Sequence, residues 1–166
     1  MKIYMASPLG FSEAGRSFYT GTLIPKVKDL GYEPVDPWTL TAQAKIDAVL
    51  NMPYGPAKRD AWRQLDVEIG GNNRAGIDSA DMVLAVLDGT DVDSGTAAEI
   101  GYAFAKGKPI LGYRGDFRLS ADNDGSIVNL QVEYFIRQSG GDIVTRVAEL
   151  GPALAKLKAA GPKRPL

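Results

Sequence analysis

Two acids six residues apart, Asp93 and Glu99, stand in the stretch Asp91-Val92-Asp93-Ser94-Gly95-Thr96-Ala97-Ala98-Glu99-Ile100-Gly101-Tyr102. The chain contains no histidine and no cysteine. Thiolate chemistry, disulfides and a nitrogen/sulfur zinc site are therefore excluded, and acid, base or nucleophilic work falls to Asp, Glu, Tyr or Lys. Between the two acids lie mostly small residues, and Gly95, Ala97, Ala98 and Gly101 leave room beside a carboxylate, which a substrate needs. The same letters also fit a purely local role. Thr96-Ala97-Ala98-Glu99 matches a capping box, with Thr96 as the N-cap and Glu99 reaching back to its amide.

Elements of alternating type must position these acids. Asp81 to Leu87 has the length and branched-chain content of a buried strand, Ala98 to Lys106 is helix-prone, and Ile110 to Tyr113 resumes as a strand after Gly107-Lys108-Pro109. In a parallel sheet the intervening loop lies at the carboxyl edge, where Asp93 and Glu99 could face one crevice. Upstream, Lys2 to Ala6 reads as a first strand that turns at Ser7-Pro8-Leu9-Gly10-Phe11. A helix follows, capped by Ser12 and stopped by Gly31, with a middle interrupted by Gly21 and Pro25. Tyr32 to Trp38 reads as a second strand. Thr39 to Pro56 reads as a helix-containing excursion over the active edge, and Arg59 to Ser79 as a helix bent at Gly70-Gly71 with Trp62, Leu65, Ile69 and Ile77 turned inward. Arg114 to Gly125 is a polar surface loop, Ile143 to Ala159 a final amphipathic helix, and Gly161 to Leu166 a frayed tail. This alternation predicts a single α/β domain over residues 1–166, a flavodoxin-like or Rossmann-like parallel sheet of about five strands flanked by helices.

Composition narrows the function classes. The chain has 166 residues, 45% of them apolar, and a formal net charge of -1. Without a basic excess there is no electrostatic case for a nucleic acid polymer or an anionic membrane as partner. No stretch is apolar enough for a signal peptide or a membrane span, so a cytoplasmic protein is expected. Neither Gly-x-Gly-x-x-Gly after the first strand nor a Walker A sequence is present, which disfavours dinucleotide and nucleoside triphosphate sites. Neither a cofactor nor a metal is expected.

The strand Ile3-Tyr4-Met5-Ala6-Ser7-Pro8, the Ala80-Asp81 pair, the run Asp93 to Ala103, Gly107-Lys108-Pro109 and Asn129-Leu130 together, in order, resemble the nucleoside 2-deoxyribosyltransferases. The resemblance implies a flavodoxin-like subunit of a homo-oligomer that exchanges the purine or pyrimidine base of a 2'-deoxyribonucleoside through a covalent sugar intermediate. It implies Glu99 as the nucleophile at C1' and Tyr4 as the phenol that orients it. It implies Asp93 as the acceptor of the sugar 5'-hydroxyl, a choice that favours nucleosides over nucleoside 5'-monophosphates. Asn129 is implied to close the 5' end of a neighbouring subunit's site. Ser7 and Phe11, at the end of the first strand, join the substrate-binding candidates, and Asp36, Trp38, Tyr54 and Trp62 are further candidates for a base-stacking wall.

One position departs from the family pattern. Eight residues before Asp81, where family members carry an acid that protonates the departing base, this chain has Asn73, which donates a hydrogen bond but cannot hand over a proton. Asp78 is the alternative acid nearby, and solvent is another proton source. Two other functions compete with base exchange. One is an N-glycosidase acting on nucleosides or their 5'-monophosphates through the same nucleophile, and the other is a non-catalytic nucleotide sensor using the same crevice.

Overall fold

Alternate residues of a strand face opposite sides of a sheet, and in β1 (Lys2–Ala6) both sides are apolar: Ile3 and Met5 go one way, Tyr4 and Ala6 the other. The computed structural model describes residues 1–161. β1 pairs in parallel with β2 (Glu33–Val35) and β3 (Met82–Val86), which continues through β4 (Ile110–Tyr113) to β5 (Ile143–Val144). The order β2-β1-β3-β4-β5 is the flavodoxin-like one. All five residues of β3 are buried, as expected for a strand covered on both faces.

Helices fill the two sides. Tyr19, Leu23 and Val27, around α1 (Glu13–Phe18) and α2 (Ile24–Asp29), pack with Leu150, Leu154 and Leu157 of α7 (Leu150–Ala160) over Ile3, Met5, Leu84 and Val86. The other side is covered by α4 (Pro56–Ser79), α5 (Ser94–Ala105) and α6 (Leu130–Gln138), whose Ile77, Ile100 and Ile136 sit over Tyr4, Ala6, Val83 and Ala85. The short α3 (Gln43–Leu50) packs on α4. Strand order reverses between β1 and β3, so a crevice opens beyond their carboxyl ends, the usual ligand position in such sheets.

Three local expectations need correction. α4 runs unbroken through Gly70 and Gly71 as a single helix of 24 residues. Both glycines are exposed with nothing near their missing Cβ, so they cost propensity without forcing a bend. The break in the first helical segment is a π-turn, Tyr19–Leu23, closed by the Ile24 amide donating to the Tyr19 carbonyl. That wide turn absorbs Pro25, whose ring would otherwise press on the preceding turn. Ile143 and Val144 are the fifth strand and not the start of the last helix, which begins at Leu150. Of the tail, residues 162–166 lie outside the described part of the chain.

Candidate active site

Tyr4 reaches the crevice because its neighbours make way for it. β1 and β3 pair Tyr4 with Val83, and the ring lies on the α4/α5 side of the sheet. On α4, a Cβ at Gly76 would come within 3.1 Å of the Tyr4 ring and 2.8 Å of Leu40, so glycine lets the helix approach. The fully buried Tyr4 then donates its hydroxyl to Glu99 Oε1 at 2.6 Å. Asn73, from the C-terminal third of α4, directs its Nδ2 to the same oxygen at 3.4 Å. Its Oδ1 is out of solvent and has no hydrogen-bond partner. An orphaned acceptor of this kind costs about 1–3 kcal/mol, and turning the amide over would set that oxygen against the carboxylate.

The start of α5 settles the choice left open by the sequence. Asp93 is the N-cap: its Oδ2 accepts from the Thr96 amide at 2.9 Å and from the Thr96 hydroxyl at 3.2 Å. Thr96 is buried within the first turn, and Glu99, the sixth helical residue, is no part of a capping box. Glu99 therefore also lies beyond the first turn, where the helix dipole has its main effect. Its ionised form depends on Tyr4 and not on the helix end. Burial raises the Glu99 pKa most, the Tyr4 hydrogen bond opposes that rise, and the charge of Asp93 adds to it. Burial, then the Glu99 carboxylate, push the Tyr4 phenol far above its ordinary range, so it stays a donor.

Glu99, Asn73, Asp93, Ser7 and Phe11 all line one cleft of about 410 Å³, with Tyr4 beneath it. Its walls are apolar: Trp38 and Pro37 on one side, Trp62, Ile69 and Ile46 from α3 and α4 on the other. The indole of Trp38 meets Phe11 edge to face at 4.8 Å and donates to the Ser7 carbonyl at 3.2 Å. A Cβ on Gly10 would overlap that indole at 2.2 Å. Asp36 lies behind the wall, where its Oδ1 accepts from the Tyr19 hydroxyl at 2.8 Å and the Trp38 amide at 3.0 Å. It fixes Trp38 in place and does not touch the cleft. The sequence marked Gly10 only as part of the turn after β1, two residues after Pro8, and carried no signal that Pro37 and Ile46 line the cleft.

Other sequence candidates lie elsewhere. Asp78 is on the outer side of α4, where both its oxygens accept from the Tyr102 hydroxyl, at 2.9 and 3.1 Å, and Lys106 approaches to 3.5 Å. The Tyr102 hydrogen bond, more than Lys106, holds its carboxyl below the usual range. It does not line the cleft, because a helix of 3.6 residues per turn carries position 78 to a different face from position 73. Tyr54 is 89% exposed and also outside the wall. Asn129 caps α6, its Oδ1 accepting from the Gln131 and Val132 amides at 3.0 and 3.4 Å, and it does not line its own chain's cleft. Arg114, assigned by sequence to a surface loop, is buried and ties the loop after β3 to the end of β4. Its guanidinium donates to the carbonyls of Leu87, Gly89 and Arg118.

Among the described residues no cluster of His, Cys, Asp and Glu could hold a metal ion, and no helix is long and apolar enough to cross a membrane. What remains is a parallel α/β protein with a phenol-held carboxylate in an apolar cleft at the switch point of its sheet. The family model of the nucleoside 2-deoxyribosyltransferases matches residues 3–131, and the chain belongs to that family. Among solved structures, a conserved protein from Enterococcus faecalis V583 is 26% identical, with 96% of this chain and 98% of that one covered and a TM-score of 0.64. The 2-desoxiribosyltransferase from Leishmania mexicana is 25% identical over 93% of this chain and 94% of that one, with a TM-score of 0.60. The 2-deoxyribosyltransferase from Bacillus psychrosaccharolyticus shares the fold over the full length of both chains, at 22% identity and a TM-score of 0.62. No curated protein matches the chain.

Proposed function

We propose that this protein exchanges the base of 2'-deoxyribonucleosides, with Glu99 as the carrier of the sugar. The observation that carries the reading is the Glu99 carboxylate fixed by the Tyr4 hydroxyl at 2.6 Å in an apolar cleft large enough for a nucleoside. In the first step a Glu99 oxygen bonds to C1' as the bond from C1' to the base nitrogen breaks, and the negative charge beside C1' stabilises the oxocarbenium-like transition state. A deoxyribosyl ester on Glu99 remains. A second base then attacks C1' from the vacated face and returns the carboxylate, so two inversions give net retention. The aromatic wall of Trp38, Phe11 and Trp62 suits the flat base, and Asp93 suits the sugar 5'-hydroxyl. Among the described residues two carboxylates and no lysine or arginine line the cleft, which favours nucleosides over their 5'-monophosphates, since like charge there would repel a phosphate.

Assembly belongs to the same proposal. Leu130 and Tyr134 on α6 are about half exposed beside Asn129, which suits a surface that meets a second copy and offers the Asn129 amide to its neighbour's cleft.

The test is a trapped adduct. With a 2'-fluoro-substituted deoxynucleoside, intact-mass and peptide mapping are expected to place one glycosyl group on Glu99, and Glu99→Ala is expected to lose the adduct and at least about 10⁴-fold in kcat. Incubation with and without a free acceptor base separates the competing functions. A new nucleoside only in the presence of acceptor identifies transfer, and base release without acceptor identifies an N-glycosidase. A parent protein with ligand affinity, no turnover and no adduct is a sensor and overturns the proposal.

A further inference from the structure

We infer that Asn73 is a positioning residue for the nucleophile and not a partner of the departing base, so that the base leaves without a proton from the cleft and substrates are confined to nucleosides whose base is stable as an anion or is protonated beforehand by solvent. This rests on Glu99 being the sugar carrier. The geometry of the amide is the first support. Nδ2 points to Glu99 Oε1, the oxygen that Tyr4 also holds, and Oδ1 faces away into a buried position with no partner. A side chain that leaves its own acceptor unsatisfied to keep a donor on a carboxylate is arranged for that carboxylate.

The rest of the lining is the second support. Among the described residues Ser7, Trp38, Trp62, Thr96 and Asn73 carry the side-chain neutral N–H and O–H groups that line the cleft, and none is an acid at neutral pH. Thr96 gives its hydroxyl proton to Asp93, and Trp38 gives its indole proton to the Ser7 carbonyl. Asp93 is an acceptor twice over through its Oδ2, as a helix cap must be, and Glu99 has to be unprotonated to attack. The Tyr4 hydroxyl keeps its proton and already donates it in a hydrogen bond to Glu99, so it is not free for the base. In the forward step the C1'–N electron pair therefore goes wholly to the base, which departs as an anion, or as a neutral molecule if it entered protonated. In the return step an incoming base that has lost its N–H proton to solvent forms the new C1'–N bond, and the carboxylate leaves with the other pair. No co-reactant beyond water is needed, and microscopic reversibility imposes the same selection on donor and acceptor bases.

The experiment measures the single-turnover rate of base release from 2'-deoxyuridines bearing fluoro, hydrogen or methyl at C5, and from a purine series graded in the same way. Asn73→Ala and Asn73→Asp are run beside the parent. With the full charge on the leaving base, the parent rate is expected to fall about tenfold for each pKa unit added to the base. Asn73→Ala is expected to keep that slope and move the acid limb of the pH profile upward, because a donor to ionised Glu99 has been lost. Asn73→Asp is expected to move the limb further up, through like charge, and to flatten the slope by supplying an acid. A merely structural residue would change neither limb nor slope. A parent slope shallower than about threefold per unit, or an Asn73→Ala profile with an unmoved limb, would overturn the inference while leaving a Glu99 adduct intact. Absence of any adduct sinks the underlying function instead. The parent slope and Asn73→Ala carry the test if the aspartate variant does not fold.

Discussion

Two of the depressions on the surface of this protein differ in size and in chemistry, and the roomier one has the weaker claim to a reaction. Between β5 and α7 lies an open groove of about 720 Å³, against about 410 Å³ for the cleft beside Glu99. In the groove the carboxylate is paired: Glu149 takes the Arg146 guanidinium and the amides of Thr145 and Arg146, at 3.0 and 3.1 Å. The Arg146 hydrogen bond, foremost, holds the Glu149 carboxyl below its usual range. In the cleft the direction is reversed. Among the described residues the donors to Glu99 are the neutral Tyr4 and Asn73, no cation lines the cleft, and burial holds its carboxyl above the usual range. An acid made costly to ionise and then held by a phenol is poised for reaction, whereas an acid satisfied by its own arginine is finished chemically.

The sharpest way to break this contrast is to remove the phenol. Tyr4→Phe keeps the buried ring but takes a hydrogen bond from a charged acceptor, an interaction of about 1.5–3 kcal/mol. The loss expected in kcat/KM is about 10–100-fold, with the acid limb of the profile displaced upward, since the Tyr4 bond is what opposes burial at Glu99. A Tyr4→Phe protein with an unchanged pH profile would mean that the phenol is only packing.

A smaller effect is expected in stability, and its sign is informative. The folded chain binds the Glu99 proton more tightly than the unfolded chain does, because the folded pKa lies above the ordinary 4.5. Its contribution to stability is then fully present below that ordinary value and is lost as pH rises through the folded value. At neutral pH the parent carries that loss, and Glu99→Gln, which still offers Tyr4 an acceptor oxygen, does not. The variant is expected to unfold at higher urea than the parent at pH 7, with the advantage gone below about pH 4.5. A variant less stable at pH 7 would make Glu99 a structural residue, in conflict with its proposed role.

The cleft's half of this contrast could be read from the letters and the groove's half could not, for physical causes. Tyr4 and Glu99 belong to elements with strong signals, a first strand and a helix directly after a buried strand, and their meeting follows once β1 and β3 are neighbours. The cap of α5 was not legible because Asp93 and Thr96 are both good caps three residues apart. Packing decides between them, with Thr96 at 2% exposure. Asp78 could not be assigned to a face until the length of α4 was known, and Gly70-Gly71 hid that length. A two-residue strand such as β5 has no periodicity to detect, and Arg114 is buried by carbonyls that no pattern announces.

The groove supplies the smallest and most discriminating effect. The Arg146 side chain is 78% exposed and its partner Glu149 is on the same turn, a setting in which an ion pair is held by geometry but screened by water. Arg146→Ala is expected to change stability by no more than about 0.5 kcal/mol, within the range of an ordinary surface substitution, and to leave the proposed base exchange unaltered. The loss would be measured in urea unfolding and in the transfer assay side by side. If activity fell while stability held, the groove would be coupled to the reaction, and the difference between the two depressions would lie in their connection, since the paired carboxylate of Glu149, in the turn between β5 and α7, does not line the cleft.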